Sequence, residues 1–450
     1  MDWENICRSA PPQSLGWKKW TGTPTSFSFS KDGLSVVFLM SERADVCFGH
    51  DSILHVALEG AAETRRVNIT KPSESGEPQV WHPRIVSICR SVRNFNVLYA
   101  VVDVQGQMGV WRIQMFPEES QGDVEAVAKP LLEHGSTTFL SCLGTSSLRD
   151  ELLISRSTFQ RACVVEIVRQ DITSQLQIQQ IDEYYVPQAP SMSDRFYFPS
   201  TGGSMVQAFI HKPADFTEDN QYPVAIMVHG GPNDAWRDCW LATWNHLPWT
   251  SRGFVVITPN ISGSTGFGLP FAMSIFKNWG GYPLEDLGYL LSFLEDSMPF
   301  ADLSRVIGAG YSYGGYLINW LAGQELSRRF CALIVHGGVF SPRNLMAGDF
   351  PLIYREDFGS FPWEDRVEWD RWDPSKFCEK WTVPMLFTHG DNDYRVPVSE
   401  ALAAYHTCQI RGVPSQLLIF PDEGHTVSKP ANLAQWHKTM VTWAMKWTAS

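Results

Sequence analysis

Two kinds of hydrophobic pattern divide this chain. In its second half, short apolar runs alternate with longer amphipathic stretches. Val224-Ala225-Ile226-Met227-Val228, Arg305-Val306-Ile307-Gly308-Ala309, Val383-Pro384-Met385-Leu386-Phe387-Thr388 and Gln416-Leu417-Leu418-Ile419-Phe420 read as buried strands. Gly315 to Trp320 opens an apolar run of helical type, and Leu433, Trp436, Met440, Trp443 and Trp447 recur every three or four residues, predicting an amphipathic final helix. Trp236, Trp240, Trp244 and Trp249 also stand at helical spacing and predict mostly helical core, with one or two of them as candidates to line a pocket. Strands alternating with helices imply a doubly wound, mostly parallel sheet covered on both faces.

The first half has a different period. Phe27-Ser28-Phe29-Ser30-Lys31-Asp32-Gly33-Leu34-Ser35-Val36-Val37-Phe38-Leu39 reads strand, turn, strand, and Asp-Gly between alternating apolar residues is a strong hairpin signal. Val97–Val102 with Gly109–Ile113 around Gly106, and Leu152–Ser155 with Cys163–Val168, form two more strand pairs. The first 187 residues are therefore expected to be an all-β domain, and 188–450 an α/β domain. Proline-punctuated Tyr185-Val186-Pro187-Gln188-Ala189-Pro190 marks the boundary.

The candidate chemistry sits where the α/β pattern would expose it. Gly310-Tyr311-Ser312-Tyr313-Gly314 reads G-x-S-x-G between a strand and a helix. Such a turn holds a strained backbone and pushes the serine hydroxyl out of the sheet, while small flanking residues let neighbouring chain pass close by. A serine hydroxyl needs a base, usually a histidine oriented by a buried carboxylate. Downstream, one strand runs into His389-Gly390-Asp391-Asn392-Asp393 and the next into Pro421-Asp422-Glu423-Gly424-His425. A lone acidic residue or histidine in a loop is usually unremarkable in function. Serine, carboxylate and imidazole at successive carboxyl ends of strands, in the order Ser, Asp, His, point to an α/β-hydrolase triad. Ser312 is the nucleophile and His425 the base in this reading. The spacing leaves Asp391 and Asp393 both open as the carboxylate, while Asp422 and Glu423 are expected to form the turn. An oxyanion also requires fixed donors. The backbone N–H of Tyr313 supplies one, and His229-Gly230-Gly231-Pro232, directly after a buried strand, is the candidate for the other.

These residues resemble the prolyl oligopeptidase family of serine peptidases, and within it the branch of acylaminoacyl-peptidases and fungal dipeptidyl-peptidase V. The similarity covers roughly residues 190–450 and includes Asn260-Ile261-Ser262-Gly263-Ser264-Thr265-Gly266-Phe267-Gly268, Asn278-Trp279-Gly280-Gly281 with Asp286, Gly310 to Tyr316 with Asn319-Trp320, and the tract from Asp349-Phe350 to Trp372-Asp373-Pro374. The resemblance implies an α/β-hydrolase fold, an acyl-enzyme mechanism, and Asp393 as the triad aspartate. It also bears on the oxyanion hole. Prolyl oligopeptidases carry a tyrosine before the glycine pair whose hydroxyl donates. Here His229 stands there, as in the acylaminoacyl-peptidase branch, so a backbone N–H of Gly230 or Gly231 is expected to donate and His229 to shape the loop. Family members carry a seven-bladed propeller ahead of this domain. At about 40–50 residues per blade, the first half has room for roughly four. A reduced, propeller-like domain is expected, without an internal repeat visible in the sequence.

Composition narrows the classes. With 44% hydrophobic and 19% charged residues, the chain can bury sizeable cores. A formal charge of −12 argues against nucleic-acid partners. No apolar run reaches membrane-span length, and Met1-Asp2-Trp3-Glu4-Asn5 shows no basic-then-apolar leader, so a cytoplasmic, membrane-free protein is expected. Nine scattered cysteines without C-x-x-C spacing fit free thiols. No H-E-x-x-H or His/Cys cluster suggests a metal, and Gly263 to Gly268 fits no nucleotide loop, so no cofactor is expected. Glu118-Glu119 matches the paired glutamates that hold the substrate amine in dipeptidyl-peptidase IV, but its polar surroundings favour a solvated turn. The function expected is hydrolysis of a peptide or acyl bond. The alternatives are a small-molecule esterase, thioesterase or cyclase of secondary metabolism using the same triad, and, less well supported, a non-catalytic binding module. Oligomeric state is not legible.

Overall fold

In a computed structural model of the chain, the described residues are 23–449 apart from 31–32, 42–50, 58–63, 73–77, 81–83, 117–123, 145–148, 171–175 and 185–190. Glu118-Glu119 and the Tyr185–Pro190 stretch lie outside them. The chain packs as two units. One is Met1–Pro187 with Arg237–Trp240 and Thr265–Leu269; the other is Gln188–Trp236, Leu241–Ser264 and Pro270–Ser450.

The first unit is all-β and propeller-like. Among its described residues, thirteen strands fall into three successive antiparallel meanders of four, spanning 23–72, 84–132 and 136–184, with the short strand Pro78–Val80 beside the first. The three hairpins read from the sequence are all present. Phe27 faces Phe38, Val104 faces Gln107, and Ile154 faces Glu166. Gln105 and Gly106 turn the middle hairpin with φ of 50° and 73°, the paired positive angles that match strand twist in a two-residue loop. Among the described residues each meander spans about 50 residues, the upper end of the blade range. Val37, Leu39, Leu98, Ala100, Val102, Ile113 and Ala128 form part of its core.

The second unit has the α/β-hydrolase fold. Its strands are β1 (Met192–Pro199), β2 (Met205–Lys212), β3 (Tyr222–Val228), β4 (Val255–Pro259), β5 (Ala301–Tyr311), β6 (Ala332–His336), β7 (Met385–Gly390) and β8 (Ser415–Phe420). Their order is β1-β2-β4-β3-β5-β6-β7-β8, antiparallel at β1, β2 and β4 and parallel beyond. Every residue of β4, β6 and β7 is buried, as expected for central strands covered on both faces. The main helices are α1 (Tyr282–Ser297), α2 (Tyr313–Ala322), α3 (Pro351–Phe358), α4 (Ser399–Arg411) and α5 (Pro430–Thr448). All ten residues of α2 are buried, so it is the central helix of the unit. In α5, Trp436, Met440 and Trp443 face inward as their spacing predicts, with Leu433 and Trp447 half-buried. No helix among the described residues is long and apolar enough to cross a membrane. The cysteines among them are free thiols.

One element differs from the sequence reading. Trp236, Trp240 and Trp244 lie on no helix, and Trp249 sits in the single helical turn Leu247–Thr250. Polar side chains tie this segment to other loops instead. Asn260 accepts the Trp236 N–H at 2.7 Å, and the Trp236 indole N–H donates to Met227 O at 3.0 Å. Trp244 stacks on Tyr311 at 5.1 Å. Tertiary anchoring has overridden a spacing that mimics helical periodicity.

A buried carboxylate props the start of α2. The Tyr313 hydroxyl donates to Trp279 O at 2.5 Å, and the Trp279 indole N–H donates to Asp357 at 3.1 Å. Burial pushes the Asp357 carboxyl up to about 7, against the Trp279 hydrogen bond, which favours its ionised form. Between its ordinary value of 3.8 and about 7, the folded chain holds a proton that the unfolded chain has lost. Stability from this group is therefore greatest below that window and falls as pH rises through it. Asp357→Asn keeps an acceptor for Trp279. It should flatten that decline and make the protein more stable than wild type at neutral pH, by on the order of 1–4 kcal/mol. Urea midpoints measured across the window check this, and parallel curves for the two proteins would contradict it.

Candidate active site

Ser312 lies where β5 passes into α2, with φ 56° and ψ −120°. A non-glycine residue there costs about 1–3 kcal/mol and persists only when its surroundings dictate it. They do so here by close approach. A side chain at Gly310 would strike the Gly314 main chain, and one at Gly314 would strike the carbonyls of Val228 and His229. The Ser312 N–H donates to His336 O at 2.9 Å, and Ser312 O accepts the Tyr316 N–H at 2.9 Å. The backbone is thus pinned on the β6 side and the helix side, and the hydroxyl is left to project.

The turns after β7 and β8 bring its partners. The Ser312 hydroxyl is 2.9 Å from His425 Nε2, and His425 Nδ1 is 2.7 Å from Asp393 Oδ2. With Nδ1–H donating to the carboxylate, Nε2 is the acceptor for the serine proton. Asp393 Oδ1 accepts the N–H groups of Arg395 and Val396, both at 2.9 Å. Burial alone would raise the Asp393 carboxyl, but hydrogen bonds from His389 and His425, and the His425 charge, hold it well below the usual carboxylate range. Asp391 is exposed, and its N–H closes the turn onto Phe420 O at 2.8 Å. The structure therefore brings Asp393, not Asp391, to His425. Asp422 pairs with Lys429 at 2.6 Å, and Glu423 accepts the N–H groups of Ser428 and Lys429, so both organise the turn into α5.

The glycine loop after β3 lies against the serine. A Cβ on Gly230 would fall 3.2 Å from Ser312 Cβ and 2.8 Å from the Tyr311 ring. Gly231 has φ 120°, which side-chain residues rarely adopt. The His229 ring is buried and turned to the loop itself: Nδ1 is 2.6 Å from Gly230 O and Nε2 is 2.8 Å from the Ser264 hydroxyl. Tyr313 is the first residue of α2, where backbone N–H groups lack intrahelical acceptors.

Sequence reasoning passed over two buried histidines at this site. His336 ends β6. Its Nδ1 is 2.9 Å from the Thr388 hydroxyl, which also accepts the Trp436 indole N–H at 3.0 Å, and its ring bonds to the His425 main chain. Burial, followed by the nearby His389 and His425, pushes the His336 imidazole down to about 3, so it stays neutral. His389, near the end of β7, has Nε2 2.9 Å from Val396 O and 3.2 Å from Asp393 Oδ2. The available signal was a histidine closing an apolar strand, shared with His229. Among the described residues, no group of three or more His, Cys, Asp and Glu is arranged to hold a metal ion.

Residues 240–450 match the prolyl oligopeptidase family. Dipeptidyl-peptidase 5 of Schizosaccharomyces pombe is 40% identical over 261 residues, covering 58% of this chain and 38% of that protein. Dipeptidyl-peptidase 5 of Arthroderma otae is 40% identical over 245 residues, covering 54% and 34%. The chain thus spans well under half the length of the curated relatives it matches. Among solved structures, Pyrococcus horikoshii acylaminoacyl peptidase superposes with a TM-score of 0.75 at 19% identity, covering 95% of this chain and 64% of that one. A puromycin-hydrolyzing peptidase of Mycobacterium tuberculosis gives 0.70 at 19% identity, covering 95% and 71%. At that identity the likeness speaks to fold, and it extends through the all-β unit.

The two loop residues should separate on substitution. Gly230→Ala forces Ser312 and Tyr311 apart and is expected to slow labelling of the serine by a fluorophosphonate at least ~10²-fold. His229→Ala should cost less than the ~10²–10³-fold that deleting an oxyanion donor costs. Labelling rates on folded protein check both, and a His229→Ala loss inside that range would make its side chain a donor.

Proposed function

We propose, from the match of residues 240–450 to the prolyl oligopeptidase family, that this chain is a serine peptidase cleaving peptide or acyl-amide bonds through Ser312, His425 and Asp393. The observation that carries the proposal is the hydrogen-bonded file from Asp393 through His425 to a serine held on a strained elbow. The Ser312 oxygen attacks the carbonyl carbon as its proton passes to His425 Nε2. Asp393 stays ionised and steadies the imidazolium through Nδ1–H. The oxyanion is met by the Tyr313 N–H and an N–H of Gly230 or Gly231, in a site where fixed donors need not reorganise. The imidazolium then protonates the leaving amine, which departs and leaves an acyl-enzyme. Water, deprotonated by His425, attacks that ester; the acid leaves and the proton returns to Ser312.

Relatives named dipeptidyl-peptidase, and structural neighbours named acylaminoacyl peptidase and puromycin-hydrolyzing peptidase, support peptides and aminoacyl amides as the substrate class. The same elbow would serve a small-molecule ester or thioester. A panel pairing dipeptidyl and acyl-aminoacyl amides with simple esters divides these readings: amide turnover supports the peptidase, and ester turnover alone supports the small-molecule hydrolase.

A fluorophosphonate should label wild type and fail on Ser312→Ala; equal labelling of both would sink the nucleophile assignment. Asp393→Asn and His425→Ala should each slow acylation by about 10³–10⁴-fold while the far-ultraviolet spectrum is unchanged. Asp391→Asn should stay near the wild-type rate, and an equal loss there would overturn the choice of Asp393.

A further inference from the structure

The Asp393 carboxylate has more partners than a triad requires. Oδ1 takes two backbone N–H groups, and Oδ2 faces two imidazoles from different turns, His425 Nδ1 at 2.7 Å and His389 Nε2 at 3.2 Å. The His389 side chain is fully buried. Both groups within reach of its Nε2, Val396 O at 2.9 Å and Asp393 Oδ2, are acceptors, so the ring proton must sit on Nε2. Its Nδ1 is buried without a hydrogen-bond partner, so a second proton there would have no acceptor.

We propose that His389 is a positioning residue for the Asp393–His425 pair: its Nε2–H, shared between Asp393 Oδ2 and Val396 O, fixes the plane of the carboxylate and draws off part of its charge. The inference rests on the triad reading above. Val396 is tied to Asp393 twice, through its own N–H to Oδ1 and through its carbonyl by way of His389. That closes the turn from Gly390 to Val396 around the carboxylate, so neither oxygen can swing away as positive charge grows on His425. An aliphatic side chain at 389 would leave Oδ2 with a single donor and the turn with one tie fewer.

The arrangement has an electrostatic consequence. A carboxylate that shares its charge with two N–H donors stabilises an imidazolium less than one that serves His425 alone. Other titratable and charged groups near the pair include His336 from β6, Tyr354 from α3, and Arg395 in the same turn, whose guanidinium pairs with Asp349. None of them replaces the His389 donor at Oδ2. Removing that donor should therefore move the acidic limb of the acylation profile to higher pH.

The test compares wild type, His389→Leu and His389→Gln. Glutamine places an amide N–H near the position of Nε2, and leucine does not. Fluorophosphonate labelling of Ser312, followed across pH, should be slower in His389→Leu by about 10- to 100-fold, the scale seen when a partner orienting a site ligand is lost. Its acidic limb should shift upward. His389→Gln should recover most of the rate and the wild-type limb. Nitrogen-15 spectra of histidine-labelled wild type should show His389 neutral and protonated at Nε2, whether or not the serine is labelled. Equal slowing of both variants with an unmoved limb would reduce His389 to packing, and so overturn the proposal. So would a wild-type rate and profile in His389→Leu, or an Nδ1-protonated ring. Should His389→Leu not fold, the glutamine variant and the tautomer decide. Failure of wild type to label at Ser312 strikes the hydrolase reading, while the tautomer still judges the role of His389.

Discussion

The second unit depends on one backbone turn that most side chains would refuse. Between β5 and α2 the chain reverses at Ser312 with a positive φ, and the neighbouring main chains come close enough that Gly310 and Gly314 can carry no Cβ without displacement. Such a turn is stable only if held from outside. The buried helix α2 grips it from one direction, the His336 carbonyl from another, and the Tyr313–Trp279–Asp357 chain braces the helix start. The strain is local, and the restraint comes from three separate elements. That is how a serine becomes a fixed projection instead of a surface side chain.

Around that turn, buried polar groups form a closed set of partners. Asp393 is surrounded by N–H donors, which keeps it ionised. His336 lies a few ångströms from the same region in the opposite condition, neutral because burial and neighbouring histidines disfavour its charge. The contrast is one of environment: a carboxylate met by donors and an imidazole met by a hydroxyl and a main-chain group. From α5, Trp436 reaches His336 through Thr388. The final helix therefore contributes to the site by hydrogen bonding as well as by packing.

The prolyl oligopeptidase match lies wholly in the second part of the chain, while the likeness to solved acylaminoacyl peptidases runs through the all-β unit as well. The three meanders need no long-range sequence signal to form. Each is a run of strands paired with their neighbours along the chain, and local pairing suffices to build it. Leu98, Ala100 and Val102 pack the second meander against Val37 and Leu39 of the first, and Tyr99 and Val110 pack it against Leu152 and Ile154 of the third.

Much of this molecule was legible in the order of its residues. Apolar runs of strand length, the strand pair on either side of Asp32-Gly33, the spacing along α5 and the G-x-S-x-G elbow are local facts, set by side-chain period and backbone preference, and they reappear in the structure at those positions. The order of Ser312, Asp393 and His425 was legible too, because strand ends in a parallel sheet collect at one edge. What sequence spacing alone left open was anything that depends on direction across the fold. Asp391 and Asp393 are two residues apart and chemically identical; only the path of the turn after β7 sends one inward and leaves the other in solvent. The tryptophans after the glycine loop stand at helical spacing, yet Asn260 and Tyr311 from other segments claim the surroundings of Trp236 and Trp244, and only the single turn holding Trp249 is helical. His336 and His389 gave no sign beyond closing an apolar run. The place of His336 arises because β6 and β7 are neighbours in the sheet, which sets its ring against Thr388, while His389 meets Asp393 only through the path of the turn after β7.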